Sequence, residues 1–392
     1  MIGTNNESIR FRRLTTLAEV DAVSFDWRAL EDRCSDRLTY FQSHDWCRGW
    51  LAAFAGHGTA TTCRIETVWL GDRLVAVWPL MVRRVRGIRV LENLGAPHSQ
   101  YCNLLCEDAQ EEHAFTRELV ERVAQDPDCD VAVFHPVPHQ SKLGVLLRAR
   151  PTMRGFNDRS ALLDLTVFPD SHAYRSSGGK LKKRNRARRR NHLARTGELG
   201  FQVIWPNDPQ FAALVRQCAA MKRTWLRETG RASSGFSFAD LDQFLSALVG
   251  DRDVLNGACL SVLTAGDRTV AMELGFIRSG HYYSYLGSFD WSLRHLSPGK
   301  VQMEMTVGWL IDHGVKTYDL LGGEGDYKQS WTSHSLALDG YSLPFSWKGR
   351  FYAQAWLPVI RPLAKRFFLS LPGRVRQLVA GIQSFGLLAV GL

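Results

Sequence analysis

The sequence predicts a mixed α/β protein (α+β in its mix of strand pairings) made of two successive halves and a helical C-terminal tail. A chain of 392 residues exceeds what one hydrophobic core ordinarily organises, so two domains are expected. Residues 1–160 run helix, strands, helix, strand. Residues 258–321 run three strands with turns at Gly266-Asp267 and Ser279-Gly280, then a helix and a strand. No exact repeat joins the two halves.

In the first half, residues 27–33 and 42–54 have helical periodicity. Residues 64–70 and 74–82 are strands about Gly71-Asp72-Arg73, a hairpin signal. Residues 90–94 and 103–106 are short strands, 111–124 a helix and 131–134 a buried strand. His135-Pro136-Val137-Pro138-His139 follows as a structural loop. Its prolines deny the histidines helical spacing, and a metal needs more ligands than are in view.

In the second half, residues 162–165 form a strand, and Ser176-Ser177-Gly178-Gly179 leads into a basic, helix-forming segment, 180–195. A strand at 201–205, a helix at 209–229, a loop at 231–235 and a helix at 238–249 precede strands at 258–263, 269–277 and 281–286. Ser297 suits a helix N-cap, Pro298 the first helical position and Gly314 the exit. A strand at 316–321 then enters a glycine-rich turn, with Tyr327-Lys328 and Trp331 beyond it. The expected divisions are 1–160, 161–345 and a tail, 346–392. In the tail, 347–368 is aromatic, basic and helical, with breaks at Pro358 and Pro362. The uncharged run 377–392 falls short of the roughly 20 apolar residues that span a bilayer. A helix packed on the domain is the preferred reading of the tail, and a peripheral amphipathic helix the alternative.

Charge is concentrated. Lys180, Lys182, Lys183, Arg184, Arg186, Arg188, Arg189, Arg190 and Arg195 lie together with no acid among them, and these nine account for nearly the whole net charge of +10. A local anionic partner is expected, with Lys183 and Arg184 as contacts. Three kinds fit: phosphates of a nucleotide-sugar or lipid-linked glycan, a tRNA backbone, or an anionic membrane surface. The segment has no aromatic residue and no groove-reading motif, so sequence-specific DNA binding is not expected. The eight cysteines show no CxxC pair and read as thiols in a reducing cytosol. Residues 1–13 are polar and then basic, without the apolar core of a signal peptide, so a cytoplasmic location is expected, peripheral to the inner membrane at most.

Four groups of residues suggest chemistry. The corner Ser297-Pro298-Gly299-Lys300, with Arg294 before it, offers bare N–H groups and positive charge to an anionic donor. Lys328, near a strand end, places an ammonium where an acyl-transfer oxyanion needs one. On the strand Tyr282-Tyr283-Ser284-Tyr285, alternation sends Tyr283 and Tyr285 to one face, where a phenol can act as a general acid. Glu273 points away from the apolar face of Val270, Met272, Leu274 and Phe276 and suits a general base. No P-loop, dinucleotide fingerprint or nucleophile elbow is present.

The order S-P-G, helix, G-x-x-x-Y-D-L-L-G-G, Y-K-x-x-W resembles the FemAB/BioF-like branch of the GNAT acyltransferases, which includes CelD-type proteins of polysaccharide biosynthesis. Tyr40-Phe41-Gln42-Ser43 with Trp46 and Trp50, then Pro79-Leu80, Leu94-Gly95 and the segment from His135 to Ser141, are similar in order, so the resemblance spans roughly residues 10–345. It implies two tandem acyl-CoA N-acyltransferase halves, the first on the acceptor side and the second holding the donor. It places the donor phosphates at the Ser297 and Gly299 corner, where Arg294 and Lys300 add charge, and the acyl group near Lys328; Tyr283, from its strand face, and Trp331 are expected toward the acceptor. It implies acyl-CoA as donor substrate, no covalently bound cofactor and no metal, and an amine or hydroxyl of a sugar or exopolysaccharide precursor as acceptor. The corner departs from the Q/R-x-x-G-x-G/A signature of small GNAT enzymes. Two alternatives stand beside this reading: an aminoacyl-tRNA-dependent transferase, and a non-catalytic, membrane-associated scaffold.

Overall fold

The structure, a computed structural model, describes residues 8–55, 61–107, 112–125, 128–150, 154–231, 233–323 and 334–370. It has the mixed α/β architecture expected, in two compact units: Met1–Arg159 with Leu336–Ser370, and Ser160–Ser335.

In the first unit, β1 (Ile9–Leu14), β2 (Thr61–Leu70), β3 (Arg73–Val85) and β4 (Ile88–Asn93) form an antiparallel run, and β5 (Leu105–Cys106) adds to β3. β6 (Val131–Pro138) joins β4 in parallel and β14 (His334–Pro344) joins β6 antiparallel. The hairpin at Gly71 turns with a positive φ of 55°, which glycine adopts freely. After α1 (Leu17–Ala22), α2 (Ser24–Arg33) carries Trp27 and α3 (His44–Phe54) carries Trp46 and Trp50 into the interior, and the three indole N–H groups find acceptors in Gln42 O, Ser99 Oγ and His98 Nδ1 respectively. Helices α4 (Glu112–Ala124) and α5 (Lys142–Arg148) pack Leu119, Val123, Leu143 and Leu147 with Trp78 and Phe134 of the sheet.

Several expectations change here. The segment after Phe134 is not a loop: β6 continues to Pro138, and His139 just past it bonds Asp339 Oδ2 through Nδ1 at 2.8 Å. Extended backbone accommodates prolines that a helix would reject. The division at 345 also moves, because β14 pairs with β6 and so returns to the first unit. The tail does not break at its prolines. Trp347–Phe351 is α-helical, Tyr352–Ile360 is π-wound around Pro358, and Arg361–Ser370 is α-helical with Pro362 in its first turn. The wider π winding and the helix start each tolerate a missing N–H. Ser346 caps this segment by accepting from Gly349 N at 3.1 Å. Tyr352, Ala353 and Leu357 pack on Val85, Val90 and Val131.

In the second unit the strand order is β7, β13, β12, β11, β10, β8, where β7 is Arg154–Asp164, β8 Leu199–Ile204, β10 Asn256–Ala265, β11 Arg268–Arg278, β12 His281–Phe289 and β13 Thr317–Asp319. The two-residue β9 (Gly250–Asp251) borders β10. All pairs are antiparallel except β12 with β13, which is parallel and joins just residues 281–283 to 317–319. From Ser284 onward β12 has left β13. A bulge at Tyr285 shifts its register against β11. Around this sheet lie α6 (Ser171–Ser176), α7 (Lys180–Ala194), α8 (Phe211–Thr229), α9 (Leu241–Ser246) and α10 (Pro298–Asp312). α8 covers the face of Met272 and Ser288, and α10 the opposite face, where Gln302 and Thr306 bond Ser261.

One contact tests the tail's docking. A β-carbon on Gly349 would lie 1.7 Å from the carbonyl oxygen of Asp130. Gly349→Ala is therefore expected to cost about 2 kcal/mol of stability through overpacking, measured by urea unfolding. An unchanged midpoint would show that the segment does not rest on Asp130.

Candidate active site

The basic segment is the helix predicted, but its cations do different jobs. Arg186 is 4 % exposed; its guanidinium lies 4.6 Å from the centre of the Tyr174 ring and donates to Tyr174 O at 3.0 Å. Burial pushes the Tyr174 phenol up to about 12, with Arg186 opposing that shift. Leu193, seven residues on, is fully buried. Arg186 and Leu193 thus anchor α7 in a fixed rotation. A second face, Asn185, Arg188, Arg189 and His192, follows the i, i+3, i+4, i+7 spacing of one helical stripe. This stripe lines a cavity of about 240 Å³, closed by His295, Leu296 and Ser297 from the turn before α10. Among the described residues, no carboxylate pairs with Arg188 or Arg189.

The corner itself differs from the expected cap. Ser297 has φ 57° and ψ 48°, the left-handed region, and its side chain makes no cap bond. The turn is tied instead through Ser297 O, which accepts from Lys300 N at 3.0 Å. Pro298 has no N–H, and the Gly299 N–H has no partner among the described residues, so the helix start is bare. Gly299 sits against Phe289, whose ring a β-carbon would meet at 3.4 Å. Of the four residues assigned to the donor, Ser297 lines the cavity. Arg294 folds back over the Trp291 ring at 5.1 Å and donates to Trp291 O at 3.2 Å, while Lys300 points to solvent. Lys183 and Arg184 are exposed on α7 outside the cavity lining. The sequence reading missed Arg188, Arg189, His192 and His295 as a group. The stripe on α7 was a legible signal; its meeting with His295 was not.

The second cluster surrounds Glu273, 6 % exposed beneath α10. Tyr282 donates to its Oε1 at 2.9 Å, and the Tyr318 hydroxyl lies 2.9 Å from Oε2. The two rings stack at 5.2 Å on neighbouring strands. Ser284 Oγ, 3.1 Å from the Tyr318 hydroxyl, is the half-buried member and the first residue of β12 past its pairing with β13. Gly275 makes the arrangement possible: a β-carbon there would lie 2.1 Å from the Tyr282 ring, which crosses directly over it. Burial pushes the Glu273 carboxyl up, and the hydroxyls of Tyr282, Tyr318 and Ser284 limit that rise.

Tyr283 and Tyr285 share a face, as alternation requires. Tyr283 is fully buried beside the His281 ring, so it does not line an open acceptor groove. Tyr285 is half-buried against Phe276, and burial pushes its phenol up, which weakens it as an acid. Below them, Asp319 accepts from Leu321 N at 2.8 Å and from Ser160 Oγ, with His281 Nε2 at 3.0 Å, fixing the start of the glycine-rich turn. Lys328 and Trp331 lie outside the described residues.

The raised carboxyl of Glu273 gives a pH test. Below the ordinary glutamate value of 4.5, the folded and unfolded chains both hold the proton. Above it the unfolded chain releases a proton that the fold retains, so stability falls with rising pH until the buried carboxyl also ionises. Glu273→Gln removes this dependence. The variant is expected to match the parent near pH 4 and to gain in melting temperature over it toward pH 7. A pH-independent difference would show that the carboxyl is not held up by burial.

Residues 181–329 match the family model described as an acetyltransferase (GNAT) domain. No curated protein matches the chain. Similar solved structures include FemX, at 11 % identity and TM-score 0.56 over 86 % of this chain and 98 % of that one. They also include a C-terminal domain assigned to lysylphosphatidylglycerol synthetase from Agrobacterium fabrum, at 13 % identity and TM-score 0.54 over 88 % and 96 %. L-PGS from Bacillus licheniformis is similar at 14 % identity and TM-score 0.53 over 87 % and 95 %. These likenesses establish a FemAB-like fold, and the matched domain carries both the α7 cavity and Glu273. Residues 181–329 thus carry an acyltransferase domain of the GNAT type within that fold.

Proposed function

We propose that the second unit holds the phosphates of an acyl-CoA donor in the cavity between α7 and the turn before α10, and transfers the acyl group to an amine or hydroxyl. The observation that carries this reading is the pair Arg188 and Arg189, unpaired with any described carboxylate and facing the bare start of α10 within the matched domain. The Gly299 N–H, the helix dipole and the guanidinium donors together suit a diphosphate. The thioester then lies toward the stretch where β12 leaves β13. The acceptor attacks the thioester carbonyl, a tetrahedral oxyanion forms, and its collapse expels the coenzyme thiolate. The proton leaves through Ser284 and Tyr318 to Glu273, which acts as the general base in its ionised form. On the family resemblance, Lys328 stabilises the oxyanion, and the acceptor is a sugar or envelope-polysaccharide precursor.

A second reading, transfer from an aminoacyl-tRNA, is favoured by the remaining cations of α7. Lys183, Arg184 and Arg190 are exposed, on a 15-residue helix that extends well beyond the cavity. A small donor has no need of them, whereas a nucleic-acid backbone does.

Two substitutions test the site, and a comparison of donors separates the readings. Arg188→Gln with Arg189→Gln is expected to raise KM for acyl-CoA by at least about tenfold, with a smaller effect on kcat. An unchanged KM removes the cavity from the donor site. Lys328→Ala is expected to slow turnover about a hundredfold or more with melting temperature unchanged. Transfer from charged tRNA, and none from acyl-CoA, moves the assignment to the second reading.

A further inference from the structure

A different surface carries an inference independent of the donor site. The C-terminal helical segment, 347–370, turns one face onto the first unit through Tyr352, Ala353 and Leu357, and Phe368 is buried as well. The opposite face exposes Trp347 by 76 %, Phe351 by 53 %, Val359 by 50 %, Leu363 by 57 % and Phe367 by 70 %. These positions are separated by multiples of four, so the apolar side chains recur along one side of the helix. Large aromatic residues in a continuous exposed row are unusual on a soluble surface. The charge beside them has one sign. Lys348, Arg350 and Arg366 are exposed, Lys348 lies 5.8 Å from the Trp347 ring, and no acid occurs from residue 340 to 370.

We propose that this face docks the protein onto an anionic lipid surface, the helix lying in the interface with its apolar row among the acyl chains and its cations at the headgroups. An apolar row edged by cations, with no acid, has the composition of an interfacial helix. In a symmetric contact of this face with its own copy, cation would meet cation, since the segment has no acid to offer. No described helix is long and apolar enough to cross a membrane, and lying in the interface requires no crossing. Trp347 suits the headgroup boundary, where an amphipathic ring is favoured.

The test is sedimentation of the whole chain with phosphatidylcholine vesicles, with and without phosphatidylglycerol. The parent is expected to bind the mixed vesicles and to release with added salt. The triple substitution Trp347→Ser, Leu363→Ser, Phe367→Ser is expected to weaken binding at least about tenfold. Lys348→Gln, Arg350→Gln, Arg366→Gln together should abolish the preference for phosphatidylglycerol. Both variants change exposed side chains and should keep the parent melting temperature, and the charge variant remains informative if the serine variant does not fold. An α7 variant carrying Lys183→Gln, Arg184→Gln and Arg190→Gln should still bind. The proposal is overturned if the parent does not bind mixed vesicles, or if the α7 substitutions remove binding while the tail substitutions do not. A dimer in sedimentation equilibrium that the serine variant dissociates, without vesicle binding, would also overturn it and assign the face to a second copy.

Discussion

A helix bearing many cations and no acid cannot be held in place by its own charge, and everything proposed for the donor site depends on how α7 is held. Like charges at helical spacing repel, so the segment alone favours separation. The fold answers by burying one of the cations. Arg186 lies on the Tyr174 ring and donates to a backbone carbonyl, and Leu193 seals the same face two turns later. Arginine suits this position better than lysine, because its planar, weakly hydrated guanidinium can stack and donate together. With the rotation of α7 set, Arg188 and Arg189 face the cavity with no described carboxylate to neutralise them. In the proposed donor site, their unspent charge is the source of affinity for phosphate.

The Glu273 cluster obeys a related constraint. A carboxyl under α10 loses its hydration, and the sheet supplies hydroxyls instead, two phenols and a serine. One phenol reaches it across a glycine, so backbone, ring and carboxyl are coupled: filling Gly275 would displace Tyr282. Ser284, which serves this cluster, is also the first β12 residue past its pairing with β13, beside the path proposed for the acyl group.

Much of the second half was legible in the sequence. The meander of β10, β11 and β12, the basic helix and Pro298 at the first position of α10 follow from local pattern and capping chemistry. Alternation correctly moved Glu273 off the face of Met272 and Leu274. What covers the other face is a property of α10, and a strand's own period says nothing of a helix that arrives later in the chain. Ser297 misled for a similar reason: Ser before Pro reads as a side-chain cap, while the tight turn from Trp291–Leu296 drives it into the left-handed region. β14 was missed because its partner, β6, lies about two hundred residues earlier, and local pattern cannot report a pairing at that separation. The tail prolines were read as breaks by the rule for α-helices, which a π-wound segment does not follow.

The central claim is that α7 and the turn before α10 form one phosphate pocket. It is tested most directly by two-dimensional NMR of the histidine rings during titration with inorganic pyrophosphate and then with coenzyme A. Resonances assigned to His192 and His295 by substitution are expected to shift together at one ligand concentration, and to stop shifting when Arg188 and Arg189 are glutamine. Binding of either ligand that leaves both rings unmoved would contradict the pocket.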